Sequence, residues 1–158
     1  MRNYGFKTNR GDFWMGLERV YRLTNAYSQS TYQLVMSAKR ESDGKWMQIV
    51  HDSFYLQNGD PYYHWYLRGS IVEKHETSMS DSHARYLNGC YFGTYDHSKH
   101  GSSYRNYASS ARGGWWWGTS PSNVYICLNC DQRQTYLWKE NGQKIRLTET
   151  QMSIRVKL

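Results

Sequence analysis

Seven residues, Ala111-Arg112-Gly113-Gly114-Trp115-Trp116-Trp117, restrict what this chain can fold into more than any other stretch. Each indole brings a large apolar surface and one N–H that needs a partner when buried. Three in a row cannot all point one way on a strand, because neighbouring side chains alternate faces. One reading is a strand end in the core with one ring exposed. The other is an aromatic wall beside a binding surface, with the glycines letting backbone approach closely.

The rest of the chain supplies a sheet for those rings. Leu17, Val20 and Tyr21 have helical spacing, which predicts a short helix over residues 16–23. Thr31 to Ser37 reads as a strand with Tyr32, Leu34 and Met36 on one face. Asp43-Gly44 is a hairpin turn, and Trp46 to His51 is its partner strand. Phe54-Tyr55-Leu56 leads to a second turn at Asn58-Gly59-Asp60-Pro61, followed by one long strand from Tyr62 to Ile71. This meander is antiparallel. From residue 75 to Ser110 the periodicity dissolves into Ser, Gly, Tyr, Asn and His. Fifteen tyrosines argue for an ordered, hydrogen-bonded loop region over a disordered one, because disordered chains are poor in aromatics. Alternation returns from Lys144 to Val156. The fold class is α+β: a twisted antiparallel sheet with short helices and a loop-rich C-terminal lobe. Length makes it one domain, with a sheet-and-helix part over 1–75 and a loop-rich binding lobe plus final strand over 76–158.

Five blocks then resemble one family in order. Gly11-Asp12-Phe13-Trp14-Met15-Gly16 with Leu23-Thr24, Asn88-Gly89, Phe92-Gly93-Thr94-Tyr95-Asp96, Gly113 to Trp117 with Ser122-Asn123, and Thr150-Gln151-Met152-Ser153-Ile154-Arg155 span nearly the whole chain. Together they resemble the fibrinogen-related domain, the C-terminal globular domain of fibrinogen chains, ficolins, tachylectins and angiopoietins. The resemblance implies a non-enzymatic recognition module for glycans or extracellular proteins. It also implies further chain ahead of Gly5-Phe6, carrying the first strands, a disulfide and any oligomerising region. Residues Met1 to Gly5 form no hydrophobic signal segment, so the expectation is either an intracellular chain or a fragment of a longer extracellular one.

The resemblance also implies site residues. The family's calcium loop falls on Asp96, Ser98, His100 and Ser102. Calcium wants six to eight oxygens with carboxylate charge. Only Asp96 keeps a carboxylate, and Lys99 adds positive charge, so a weak or lost site is expected. The family's acetyl-binding pocket uses aromatic rings and a Cys-His peptide. Here that place reads Thr119-Ser120-Pro121. Tyr107, Trp117, Tyr125 and Tyr136 remain as stacking faces, with Ser120 as a hydroxyl, or else these rings simply fill the lobe. The family's late disulfide should have cysteines near Tyr107 and Thr119, and neither is present.

Other chemistries have thinner support. His97-x-x-His100 with Cys127-x-x-Cys130 has the residue types of a zinc site but not the usual spacing; free or mutually oxidised thiols are the alternative. His51, Asp52 and Ser53 are adjacent, so on a strand they face opposite ways. Cys90 with His83 could be a thiol–imidazole pair or a buried small hydrophobe. Twenty Lys and Arg against 13 Asp and Glu leave a net charge of +7, scattered with no run of five. That charge serves solubility or draws an anionic glycan, lipid or nucleic acid. A nucleic-acid binder with rings stacking on bases is an alternative class, and a relic fold without ligand another. No run approaches the roughly 20 apolar residues of a membrane span.

Overall fold

A computed structural model describes residues 4–28, 31–59, 62–81, 85–97, 108–117, 126–130 and 138–158. The described chain opens with a two-stranded hairpin, β1 (Phe6–Lys7) and β2 (Phe13–Trp14). Thr8 closes its loop: its hydroxyl accepts the N–H of Asp12 and donates to that residue's carboxylate. The helix α1 (Leu17–Asn25) follows Gly16, whose φ of 94° suits glycine. Glu18 and Arg22 form an i,i+4 pair at 2.6 Å along it. Leu17 and Thr24 face the core, with Val20 and Tyr21 at its margin.

Two four-stranded sheets carry the core. One has the order β12-β3-β4-β7, with β3 (Tyr32–Arg40), β4 (Trp46–His51), β7 (Ile71–His75) and β12 (Leu147–Val156). The other has the order β5-β6-β8-β9, with β5 (Phe54–Gly59), β6 (Tyr62–Leu67), β8 (Tyr91–Gly93) and β9 (Trp115–Trp117). All their pairings are antiparallel. The β3–β4 hairpin turns at Asp43-Gly44 as expected: Gly44 has φ 69°, and the Asp43 carboxylate accepts the Lys45 N–H at 3.1 Å. A separate hairpin joins β10 (Trp138–Glu140) to β11 (Gln143–Ile145) through Asn141-Gly142, both at positive φ. That Asn-Gly signal sits ahead of Lys144, so the last alternating segment is two strands split at Arg146.

The long strand expected over 62–71 is also two strands, and they belong to different sheets. After β4 the chain crosses to the second sheet through Asp52-Ser53, with Ser53 at φ 58°. It returns through Arg68-Gly69-Ser70. The two crossings are tied by Asp52 N–H to Ser70 O at 2.9 Å, Gly69 N–H to Asp52 O at 3.3 Å and Arg68 N–H to Ser53 O at 3.1 Å. A Cβ on Gly69 would sit 2.5 Å from the Asp52 Cβ, so only glycine fits the close approach.

Helix α1 seals the free edge of the second sheet. The Thr24 hydroxyl accepts the Leu56 N–H at 3.2 Å, and the Asn25 amide donates to the Leu56 carbonyl at 2.7 Å. Both outward backbone groups of Leu56 on β5 are thereby satisfied.

Candidate functional site

All three tryptophans of β9 are inside the protein, at 0, 2 and 5 % exposure along Trp115, Trp116 and Trp117. Strand alternation sends them to two faces, and both faces are covered. Trp116 packs edge-on against Trp65 at 4.7 Å and Phe92 at 4.9 Å, and Trp115 against Trp116 at 5.3 Å. Such pairs add to the burial energy of the rings. The Trp117 N–H donates to the Gly93 carbonyl at 3.2 Å. Among the described residues, the indole N–H groups of Trp65, Trp115 and Trp116 have no hydrogen-bond acceptor. Trp117, offered above as a stacking face, is the least buried of the three, by a small margin. Its ring is packed inside the protein and is not an open face.

Of the glycines before the triplet, Gly113 admits another backbone and Gly114 admits two side chains. A Cβ on Gly113 would lie 1.8 Å from the Asn129 carbonyl oxygen, and one on Gly114 would lie 2.8 Å from the Phe92 ring and the Thr94 methyl. The Asn129 amide donates to the Gly114 carbonyl at 3.1 Å, and the Thr150 hydroxyl to the Leu128 carbonyl at 2.7 Å. Segment 126–130 is thus fastened to Gly114, just ahead of β9, and to β12. Cys127 and Cys130 within it are joined by a disulfide. Their sulfurs are bonded to each other, so the zinc reading is corrected: oxidised thiols are what the Cys-x-x-Cys spacing holds.

Of the residues assigned to a calcium loop, Asp96 is described and exposed; its carboxylate accepts the Thr94 hydroxyl at 2.6 Å. Thr94 and His97 close a small backbone loop around it through two reciprocal bonds of 2.9 and 3.2 Å. Ser98, His100 and Ser102 lie outside the described residues, as do Tyr107, Ser120, Tyr125 and Tyr136. Among the described residues no group of three His, Cys, Asp or Glu side chains is placed to hold a metal.

Two other candidates resolve into structural roles. The His51 ring is fully buried; its Nδ1 lies 3.1 Å from the Asp52 carbonyl, and among the described residues its Nε2 has no hydrogen-bond partner. Burial depresses its pKa from the ordinary histidine value. The Asp52 carboxylate instead receives Lys157 at 2.7 Å and Gln33 at 3.3 Å, and the Lys157 bond holds its pKa low. No proton relay runs through His51, Asp52 and Ser53. The Cys90 thiol is buried and pushed up to about 11, so it is not a thiolate nucleophile. His83 lies outside the described residues. Asn88, singled out for its block, bonds both the N–H and the carbonyl of Leu67 at 2.7 and 3.0 Å, closing the end of β6.

Several basic residues of the first sheet meet acidic partners. Arg155 meets Glu73, Lys157 meets Asp52, Lys39 meets Glu149, and Arg146 lies 3.8 Å from Glu41. This interleaving breaks up any continuous cationic face on the first sheet, which disfavours the nucleic-acid reading. No described helix is long and apolar enough to cross a membrane.

Comparison with known proteins agrees with this arrangement. The family model described as fibrinogen beta and gamma chains, C-terminal globular domain, matches residues 2–157. Angiopoietin-related protein 3 of Homo sapiens is 31 % identical over 96 % of this chain and 32 % of its own length. Techylectin-5A of Tachypleus tridentatus is 29 % identical over 98 % of this chain and 52 % of its own. The chain therefore spans about a third to a half of these relatives. Among solved structures, the fibrinogen-like globe domain of human ANGPTL2 superposes with a TM-score of 0.70 at 26 % identity, covering 98 % of this chain and 70 % of that one. That of human ANGPTL6 gives 0.72 at 24 %, covering 99 % and 70 %. A buried aromatic strand behind paired glycines, an Asn-Gly that ends β6 and a closing strand beside β3 thus stand in a chain matched almost end to end, and it belongs to the family of fibrinogen C-terminal globular domains.

Proposed function

We propose that this chain recognises glycans or glycoproteins in an extracellular setting, through the loop-rich region of residues 96–138. Its family is one of non-enzymatic recognition modules, and that membership, over residues 2–157, is the observation that carries the reading. Similarity to a protein named Techylectin-5A favours a saccharide as ligand. The buried β9 strand supports it physically, because binding residues concentrate on loops carried by a well-packed scaffold. Tyr107, Tyr125 and Tyr136 are the proposed stacking rings, Ser120 a hydroxyl partner, and Trp117 a buried ring of the scaffold. Rings meet the apolar face of a sugar, while phenol groups take its hydroxyls. The net charge of +7 favours neutral or acidic sugars over basic ligands.

A glycan array run beside a single-stranded DNA titration at two salt concentrations tests the reading. A saccharide signal lost in both Tyr125→Ala and Tyr136→Ala is the expected result. DNA binding that collapses with salt and no glycan signal would replace the class with nucleic-acid binding. A glycan signal indifferent to both variants would remove the site. Silence in both assays would make the fold a relic.

A further inference from the structure

The disulfide in segment 126–130 joins Cys127 to Cys130, at a sequence separation of 3 on one stretch of chain. It does not staple two elements together. In the chain-entropy account a cross-link stabilises by the freedom it takes from the unfolded chain, and so short a loop leaves little to take. What it fixes is the path of the residues it spans, and that path is wedged against its surroundings. A Cβ on Gly113 would lie 1.8 Å from the Asn129 carbonyl oxygen and 3.1 Å from the Cys130 Cα. The Asn129 amide reaches the Gly114 carbonyl, the Thr150 hydroxyl reaches the Leu128 carbonyl, and Ile126 forms an antiparallel bridge with Trp138. Apart from that bridge, no described strand pairing runs through the segment. The two four-stranded sheets are paired without it, while the approach to Trp115 is packed against it.

We propose that Cys127–Cys130 is a thiol–disulfide exchange site whose redox state sets how firmly segment 126–130 holds Gly113-Gly114, with a dithiol as its reactant. Cys130 is the less enclosed partner, at 8 % exposure against 1 % for Cys127. A thiolate of the dithiol attacks the Cys130 Sγ; the S–S bond breaks, and Cys127 leaves as a thiolate that takes up a proton. The reactant's second thiolate then attacks the reactant sulfur of the mixed disulfide. It closes the reactant's own disulfide and releases Cys130, which is protonated in turn. One protein disulfide and one dithiol become two protein thiols and one reactant disulfide, with two electrons passing to the protein. Once open, Cys127 to Cys130 regain backbone freedom, and keeping the docked path then costs ordering entropy. The hold on Gly113-Gly114 weakens accordingly. Such coupling is reciprocal: if reduction weakens docking, weaker docking makes the disulfide easier to reduce by the same factor. Cys90, the free thiol, is buried and takes no part.

Titrating the folded 158-residue chain with dithiothreitol tests this. Alkylation and mass analysis should show new thiols at Cys127 and Cys130, with Cys90 unlabelled and far-UV circular dichroism unchanged. Amide hydrogen exchange over residues 113–117 should rise about tenfold on reduction, with β3 and β4 unmoved. The double variant Cys127→Ser, Cys130→Ser, folded by the same criteria, should show that exchange pattern without reductant. Asn129→Ala removes the bond to Gly114. Its disulfide should open at an about tenfold lower ratio of reduced to oxidised dithiothreitol, which is the reciprocal effect. A disulfide that resists reduction until the whole chain unfolds overturns the proposal. So does reduction that leaves exchange over 113–117 unchanged, or an Asn129→Ala chain whose disulfide opens at the parent's midpoint.

Discussion

The Trp115–Trp117 run gives three neighbouring residues similar energetic weight. All are buried, and large-to-small changes at buried aromatics cost about 3–5 kcal/mol. Trp115→Ala and Trp117→Ala should both fall in that range by chemical denaturation, with Trp117→Ala at the lower end. A Trp117→Ala loss below about 1 kcal/mol would mean that its ring is not structural. His51 makes a pH prediction. Its pKa is lowered in the folded protein, so below the ordinary value of about 6.5 the unfolded chain binds a proton that the folded chain refuses. Stability should therefore be pH-independent at this group above that value, and fall as pH drops below it. The limiting slope is about 1.4 kcal/mol per pH unit for one proton. Asp81 at 3.9 Å and Asp52 moderate the effect, and Arg85 adds to it. Denaturation midpoints of the parent and His51→Gln between pH 7.5 and 5, a window set by that ordinary value, should converge as pH falls. Parallel curves would contradict the assignment. At this scale the sequence was informative about identity and weak about exposure. The triplet announced an aromatic strand, but period-2 alternation cannot tell whether the second face is covered. That depends on Phe92 and Trp65, which arrive from other strands.

Elements were legible where local chemistry decides them. The Asp43-Gly44 hairpin and the helix at 16–23 follow from turn residues and apolar spacing, and both form close to the expected bounds. The single strand expected over Tyr62–Ile71 breaks at Gly69, which yields to the Asp52 crossing; the glycine is a local mark of the break, but the change of sheet is tertiary. The same holds for the helix's second task. Thr24 and Asn25 lie just past the helix expected over 16–23, and they bond the N–H and the carbonyl of Leu56 on β5. Thr24→Val keeps the shape and removes the acceptor. It should cost about 1–3 kcal/mol through the stranded Leu56 N–H, with faster hydrogen exchange at that amide. Unchanged exchange at Leu56 would show that the helix does not seal the edge.

Across the whole molecule, two sheets share one core, and the chain passes between them at paired crossings. The order of the blocks made that architecture readable, because each block marks a place where backbone or ring packing admits few residues: Asn88 on Leu67, Gly113 on Asn129, Trp14 on Phe92. Binding loops obey no such periodicity, so Tyr107, Ser120, Tyr125 and Tyr136 were nominated by position and residue type alone. One consequence concerns calcium. With Asp96 the single carboxylate of the loop and Lys99 beside it, millimolar calcium should leave the melting temperature unchanged. A clear rise abolished by Asp96→Ala would restore a working site. The central claim, a saccharide-binding lobe carried by a buried aromatic strand, is tested most directly by an NMR titration of this chain with the strongest saccharide from the array. The account predicts shifts confined to residues 96–138, including the Trp117 indole N–H, with β3 and β4 unmoved. Shifts centred on β3 and β4, or a silent Trp117 beside a saturable shift elsewhere, would contradict it.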